Sequence, residues 1–193
     1  MNYRIAWVVL GLTFAPALAH AREPSADTGS SAPSSAERTL PTGGLSLAGL
    51  VGNGFEDGVN VGFGARAGYG FDRVYVGGTL VYHLGETRKA NTLGGSEDVS
   101  VNVWYLGGEV GYDLAAGPLR VRPYGGVGMG TARGCLGSSC DTESRAYIAP
   151  GVVGLYPLSD RLFAGVDARF VVPLDDDSDF DHFGLFATVG GYL

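Results

Sequence analysis

The sequence predicts an all-β protein, a closed up-and-down antiparallel transmembrane β-barrel of about eight strands. Three observations support this fold class. Apolar and polar residues alternate with a period of two along most of the chain, which is typical of strands with two unlike faces. Glycine is abundant, with 33 copies in 193 residues, and lies within the apolar runs. The connections between runs alternate between short and long, as they do in membrane barrels.

The first 42 residues are expected to precede the barrel. Residues 1–21 have the layout of a cleaved secretory signal peptide, with Arg4 ahead of an apolar run over residues 5–18. An uncleaved anchor helix is the alternative, although the run falls short of the ~20 residues that a helix needs to cross a bilayer. Residues 22–42 are rich in Ser, Ala and Pro, which predicts a disordered periplasmic lead.

The predicted barrel, residues 43–193, consists of runs in which apolar and polar residues alternate. In residues 59–71, for example, Val61 and Phe63 share one face and Arg66 lies on the other. These runs match the ~9–11 residues of a tilted transmembrane strand better than the ~5–6 of a typical soluble strand. The predicted strands cover residues 44–52, 59–71, 74–85, 98–114, 119–131, 144–156, 161–172 and 181–193.

The connections predict which strand ends meet. Short ones follow the second, fourth and sixth strands, at residues 72–73, 115–118 and 157–160. Polar and mostly longer ones follow the other strands, at residues 53–58, 86–97, 132–143 and 173–180. A soluble sandwich has no reason to segregate loop length in this way. The fourth strand changes its apolar phase at Trp104, which a β-bulge or a protruding upper segment would explain.

Polar faces of the predicted strands are expected to line a narrow interior. A sheet crosses a bilayer only when it closes, because lipid offers no partners to the backbone groups of an open edge. Charges in such an interior must pair, since an isolated buried charge is very costly, although individual residues near the rim could be solvated instead. The predicted interior charge network comprises Arg66, Glu109, Arg120, Arg122, Asp167 and Arg169, with Asp113 on the same faces.

Aromatic residues are expected to mark the two membrane interfaces. Those at the short-turn ends of the strands are Tyr69, Phe71, Tyr112, Tyr156 and Tyr192. Those near the opposite ends are Tyr82, Phe170 and Phe183.

These features of residues 43–193 resemble the small eight-stranded outer-membrane barrels, the OmpA-like and OmpX-like group. The final run, which ends in Tyr192 and Leu193, resembles the carboxy-terminal strand that such proteins present to their insertion machinery, although Phe is usual at the last position. The resemblance implies a place in the outer membrane of a Gram-negative envelope. Outer-membrane lipid and lipopolysaccharide would then surround a monomeric barrel, and the long loops would face outward towards any surface partner.

Two cysteines, Cys135 and Cys140, are predicted to form a disulfide, because an exported chain meets an oxidising compartment. A metal site is the alternative, but no second Cys/His pair stands nearby in the sequence. Neither a cofactor nor a metal is expected elsewhere. The one weak candidate for a divalent cation is an acidic loop that could otherwise be a solvated tip. Its residues are Asp175, Asp176, Asp177 and Asp179.

The expected function is non-enzymatic, with a structural, adhesive or surface-interaction role. A net charge of −7 without a basic stripe argues against nucleic-acid binding. A rival function is that of a lipid A-modifying enzyme with His83 or His182 as its base. The lipid A deacylases have Ser two residues after the catalytic His. In this sequence the residue two positions after His182 is Gly184, so the motif is not met. A narrow porin-like pore for small solutes and an exported soluble sandwich or lipocalin-like barrel are also compatible with parts of the pattern.

Overall fold

The computed structural model describes the backbone of residues 40–41, 43–56, 59–85, 87–92, 95–136, 139–175 and 181–193. The predicted signal peptide and most of the predicted lead lie outside these residues. Among the described residues, no helix has the length and apolar character needed to cross a membrane. The strands are β1 (Gly44–Glu56), β2 (Val59–Phe71), β3 (Val74–His83), β4 (Thr87–Thr92), β5 (Gly95–Tyr112), β6 (Leu114–Ala116), β7 (Leu119–Leu136), β8 (Ser139–Pro157), β9 (Leu162–Pro173) and β10 (His182–Tyr192).

Eight of these strands close into a ring, which confirms the predicted fold class. The order is β1, β2, β3, β5, β7, β8, β9 and β10, and every neighbouring pair is antiparallel. β10 returns to β1, with partners running from Ser46 opposite Tyr192 to Gly54 opposite Gly184. The ring therefore leaves no open edge along its wall. The two remaining strands are additions at its ends, since β4 pairs with β5 and β6 pairs with β7.

The wall has an apolar outer face and a mixed inner face, as the period of two requires. Along β2 the pattern from Val61 to Phe71 alternates between exposed and buried or half-buried positions. Arg66 points inward and Phe63, three residues before it, points outward. The outer face includes Leu47, Val51, Phe63, Val76, Leu80, Leu106, Val110, Val127, Val152, Val166, Phe170, Leu185 and Val189, all of which are exposed.

The two ends of the ring differ. The turn end carries the connections at residues 72–73, 117–118 and 158–161, together with the start of β1 and the end of β10. In the first of these turns Asp72 adopts a left-handed conformation, with φ of 57°. At the opposite end, the loop end, several strands continue past the wall. This segregation is the one that the connection lengths predict.

Two predicted loops are strands instead. Residues 86–97 contain β4 and the start of β5, and residues 132–143 form the far ends of β7 and β8. Their sequences lack an apolar alternation, but each segment pairs with a neighbouring strand on at least one side, which satisfies part of its backbone groups. β5 pairs with β3 and β7 without any register shift, so its phase change marks a protruding upper segment and not a bulge. We call this protruding sheet the outer ribbon. It consists of β4 and the loop-end segments of β5, β7 and β8.

Two side chains lie on the opposite face from the one that the sequence predicts. Val59 shares a phase with Val61 but is buried at the loop end beside Val103, next to a register shift between Asn53 and Glu56. Tyr192 is predicted in the turn-end girdle, but it follows the inward phase of β10 and lies in the lumen. The C-terminal Leu193 is exposed beside it.

Candidate functional site

The middle of the lumen holds a cluster of ion pairs, the central cluster, formed by Arg66, Glu109, Asp167 and Arg169. The Nε atom of Arg66 lies 2.6 Å from Oε1 of Glu109, and its Nη2 donates to Oδ2 of Asp167 at 2.8 Å. Arg169 also donates to Oδ2 of Asp167. All four residues are at most 7% exposed, so these charges are paired in a desolvated interior. The cluster joins three different strands of the wall, β2, β5 and β9.

Neutral side chains complete the central cluster. Thr79 donates to Glu109 at 2.9 Å, and the Tyr124 hydroxyl donates to Oδ1 of Asp167 at 2.7 Å. Neither Thr79 nor Tyr124 is a predicted site residue. Tyr124 could have been found from its sequence position, because it shares the inward phase of Arg120 and Arg122 on β7.

The other two residues of the predicted network form a separate cluster nearer the turn end, the turn-end cluster. Arg122 makes a two-pronged contact with Asp113, with Nε–Oδ1 and Nη2–Oδ2 distances of 2.5 and 2.9 Å. Its guanidinium also lies 3.8 Å from the centre of the Tyr75 ring. Arg120 reaches the same carboxylate at 3.5 Å and the Tyr192 hydroxyl at 3.0 Å. The structure therefore divides the predicted network into two layers.

The space between the two layers is very small. A cavity of about 10 Å³ is lined by Ser46, Arg66, Arg122 and Thr188, among others. Such a volume has room for about one water molecule. The hydroxyl oxygen of Thr188 is buried and has no partner within the described structure, so it is suited to bind such a water. The lumen is thus filled by side chains.

Glycines on the inner face make room for the rings that fill the lumen. A Cβ atom added to Gly68 would lie 2.3 Å from the Tyr75 hydroxyl, and one added to Gly151 would lie 2.5 Å from Cζ of Tyr124. No larger residue fits beneath these two rings without a rearrangement. The abundance of glycine in the sequence therefore reflects, in part, the seating of lumen tyrosines.

The two histidines considered as catalytic bases lie in the loop-end half of the lumen. His83 is 1% exposed, and its Nδ1 lies 2.9 Å from the carbonyl oxygen of Asn60. His182 is 4% exposed, and its ring centre is 5.7 Å from that of His83. Tyr105 packs against both rings. Neither imidazole reaches the outer, apolar face of the wall, where an acyl chain of a lipid would lie.

The acidic loop is described only at its first residue. Asp175 is exposed, and its carboxylate lies 3.8 Å from Nη1 of Arg145, which also pairs with Glu143. Asp176, Asp177 and Asp179 lie outside the described residues. Within the described part of the chain, no group of three or more His, Cys, Asp or Glu side chains is arranged to hold a metal ion.

The outer ribbon carries the predicted disulfide, which the structure confirms. Cys135 and Cys140 are directly opposite each other on β7 and β8, with 4.1 Å between their Cα atoms. The pairing of β8 with β9 reaches only as far as Tyr147 opposite Pro173, with one further bond from the Leu174 amide to the Ala146 carbonyl. Beyond that point no described strand lies beside residues 139–145 of β8. Within the described part of the chain, this stretch is therefore an open sheet edge.

The backbone groups that this open edge presents follow from the disulfide geometry. A Cα separation as short as that of Cys135 and Cys140 is typical of a non-hydrogen-bonded antiparallel pair. The N–H and C=O groups of Cys140 and of every second residue after it therefore point away from β7. Thr142 and Ser144 follow in this series, and the Thr142 amide is already bonded to the Asp141 carboxylate. Among the described residues of this edge, Ser144 directs both its amide donor and its carbonyl acceptor away from β7, as Cys140 does.

Comparisons with known proteins agree on the architecture. The family model for the outer membrane protein beta-barrel domain matches residues 6–190. No curated protein matches the chain. Among solved structures, the fold is similar to a major outer membrane protein from Thermus thermophilus, with a TM-score of 0.57, 16% identity, and coverage of 79% of this chain and 99% of that chain.

Two further solved structures are similar. Neisserial surface protein A has a TM-score of 0.56 and 14% identity, with 79% of this chain and 98% of that chain covered. The N-terminal β-barrel domain of Pseudomonas aeruginosa OprF has a TM-score of 0.54 and 15% identity, with 78% and 99% covered. At identities this low, the structural similarity establishes a common fold and nothing further.

Proposed function

Because the chain belongs to the outer membrane protein beta-barrel domain family, we propose that it is a non-enzymatic outer-membrane barrel that binds a surface partner through its outer ribbon. The observation that carries this proposal is the open edge of β8 at residues 139–145. An exposed edge offers a row of unpaired backbone groups, and an extended peptide can add to it as a further strand.

The orientation follows from the two ends of the barrel. Outer-membrane barrels have short turns on the periplasmic side and long segments outside. The turn end would therefore face the periplasm and the outer ribbon would face the medium, after export by a signal peptide over residues 1–21. The apolar outer face of the wall would contact lipid and the acyl chains of lipopolysaccharide. The exposed aromatics at its two rims, such as Tyr69 and Phe170, would mark the interfaces.

The outer ribbon suits a binding role for two physical reasons. The disulfide between Cys135 and Cys140 ties its tip, so less conformational entropy is lost when a partner binds. The edge also carries Asp141, Glu143 and Arg145, and charges of this kind discourage edge-to-edge aggregation between copies of the chain. A ribbon protected in this way remains available to a partner strand with complementary charges, which is consistent with a monomeric barrel.

The rival functions have less support in the same geometry. A pore would need an open lumen. Two layers of ion pairs fill this lumen instead, and the cavity between them has a volume of only about 10 Å³. Lipid A chemistry would need a base at the lipid-facing surface, whereas His83 and His182 point inward. Cation binding by the acidic loop would add to the surface role without replacing it.

The proposal is tested on the purified barrel in detergent micelles with a displayed library of random ten-residue peptides. We expect the wild type to enrich extended sequences that compete with one another for a single site. Ser144→Pro removes the edge amide without touching a β7–β8 hydrogen bond of the backbone, so it should abolish enrichment. Ser144→Ala keeps the amide and is the matched control. Enrichment that survives Ser144→Pro, or none in the wild type, would contradict the proposal.

The membrane assignment has its own test, independent of any partner. A folded outer-membrane barrel partitions into detergent, and its gel mobility changes when the sample is boiled. A protein that stays soluble without detergent and runs identically before and after boiling would be a soluble barrel instead.

A further inference from the structure

The last two described residues before the barrel domain enter the lumen at the turn end. The side chain of Leu40 is only 5% exposed. It belongs to one apolar cluster with Ala48, Val153, Leu155, Phe163 and Tyr192, all of which lie on the inner face of the wall. Leu40 and Pro41 fall within the predicted disordered lead. Their contacts instead place them inside the mouth of the barrel.

Arg120 holds this segment by its backbone. Nη2 of Arg120 donates to the carbonyl oxygen of Leu40 at 2.5 Å, and Nη1 donates to that of Pro41 at 2.6 Å. A guanidinium presents several donors in a fixed fork, which is why one side chain can bind two successive carbonyl groups. A buried carbonyl without a donor is costly, so each contact compensates the desolvation of the segment.

The charges of the lumen explain why Arg120 is available for this role. Between the histidines and the turn end, the described lumen contains four arginines, Arg66, Arg120, Arg122 and Arg169, but three carboxylates, Glu109, Asp113 and Asp167. Arg122 takes the shorter, two-pronged contact with Asp113, and Arg120 reaches the same carboxylate only at 3.5 Å. The arginines therefore outnumber the carboxylates by one. The carbonyl oxygens of Leu40 and Pro41 supply acceptors for Arg120 in place of a fourth carboxylate.

We infer that Leu40 and Pro41 form a stopper that closes the turn-end mouth of the lumen and that Arg120 is its clasp. The stopper seals the small cavity lined by Ser46 and Arg122, because the central cluster already closes that cavity on its other side. The site is selective for an apolar side chain followed by two carbonyl groups. Its occupant is this segment of the chain itself, which is thereby fixed to the barrel.

The test measures access to the cavity in the full-length chain. Ser46→Cys places a thiol in the sealed cavity, and a small charged methanethiosulfonate reagent reports whether the turn-end mouth is open. We expect slow labelling when the stopper is intact. Adding Leu40→Asp should raise the labelling rate about tenfold or more, as expected when the burial of one leucine is lost. Arg120→Leu should act in the same direction, and Arg120→Lys should have a smaller effect because an ammonium group lacks the fork.

Leu158→Asp, in an exposed turn at the same end, is the matched control and should leave labelling slow. The boiling-dependent gel shift of every variant shows whether its barrel is folded, and rates are compared only among folded variants. Should Leu40→Asp fail to fold, Leu40→Ala replaces it, with a smaller acceleration expected. The inference is overturned if folded Ser46→Cys is labelled quickly with the stopper intact. It is equally overturned if neither the Leu40 nor the Arg120 changes accelerate labelling.

Discussion

β7 and β8 run without a break from the barrel wall into the outer ribbon, yet the two regions follow different rules. In the wall, the outward positions are apolar, such as Val127 and Val152, and the inward charges are paired and desolvated. In the ribbon segments of β7 and β8, polar residues occupy both phases, and the pair of Arg145 with Glu143 is partly solvated. The hydrogen-bonded ladder is the same in both. The side-chain pattern therefore reflects the surrounding solvent, and the backbone pairing does not depend on it.

Removing one carboxylate from each region should give the largest contrast. Asp167→Ala leaves Arg66 and Arg169 buried without their shared partner, and the expected loss in the free energy of unfolding is about 3–5 kcal/mol. The Glu143 side chain is 51% exposed, so Glu143→Gln, which breaks its ribbon pair with Arg145, should cost less than about 1 kcal/mol. Urea titration of the barrel in lipid vesicles measures both. Equal losses would mean that the lumen pairs are as well solvated as the ribbon pair.

A positive charge on the outer face of each region is the next test. Val166 lies midway along β9 on the apolar outer face, so Val166→Arg should cost about 2–4 kcal/mol at the bilayer midplane. Thr142→Arg lies in the exposed ribbon on β8 and should change the free energy of unfolding by less than about 0.5 kcal/mol. The same titration in vesicles applies. A tolerated arginine at position 166 would show that this face does not meet lipid.

Added methyl groups probe how closely the inner and outer faces are packed. Gly68→Ala places a Cβ atom 2.3 Å from the Tyr75 hydroxyl and should cost about 1–3 kcal/mol through overpacking. Gly125→Ala, on the outer face with nothing within 4 Å of the added atom, should stay within about 0.5 kcal/mol of the wild type. Samples of each variant are heated to a series of temperatures before electrophoresis. The temperature at which the gel mobility changes ranks the stability of the two variants. If both shift it equally, the glycines matter for strand curvature and not for seating rings.

The sequence predicts the wall well because lipid imposes a pattern on every residue there. The second predicted strand, residues 59–71, coincides with β2, since Val61 and Phe63 must face outward while Arg66 faces inward. The six network residues are predicted from phase alone and all point inward. Their division into two clusters depends on strand stagger, which sets whether Arg122 meets Asp113 or Glu109. That stagger has no signature in the spacing of residues within one strand.

The outer ribbon and the stopper escape prediction for the complementary reason. Residues 132–143 carry no apolar face, so nothing in their composition distinguishes a protruding ladder from a loop, although Cys135 and Cys140 already indicate that their ends meet. Leu40 and Pro41 follow a Ser-rich tract and resemble a linker until Arg120 is seen to need acceptors. The stopper depends on contacts between segments that are far apart in sequence. The outer ribbon lies where apolar and polar residues do not alternate with a period of two.

The smallest effect on the barrel itself should come from the disulfide. Replacing both Cys135 and Cys140 by Ser relaxes a loop of a few residues, which in the chain-entropy model destabilises the ribbon tip by about 2 kcal/mol. The wall does not depend on this cross-link, because its strands are paired on both sides, so the gel-shift temperature should be unchanged. Hydrogen exchange should become faster for amides near Ser139 and stay slow near Val153. If the wall amides accelerate as much as those of the ribbon, the two regions unfold as one cooperative unit, and the outer ribbon stabilises the wall.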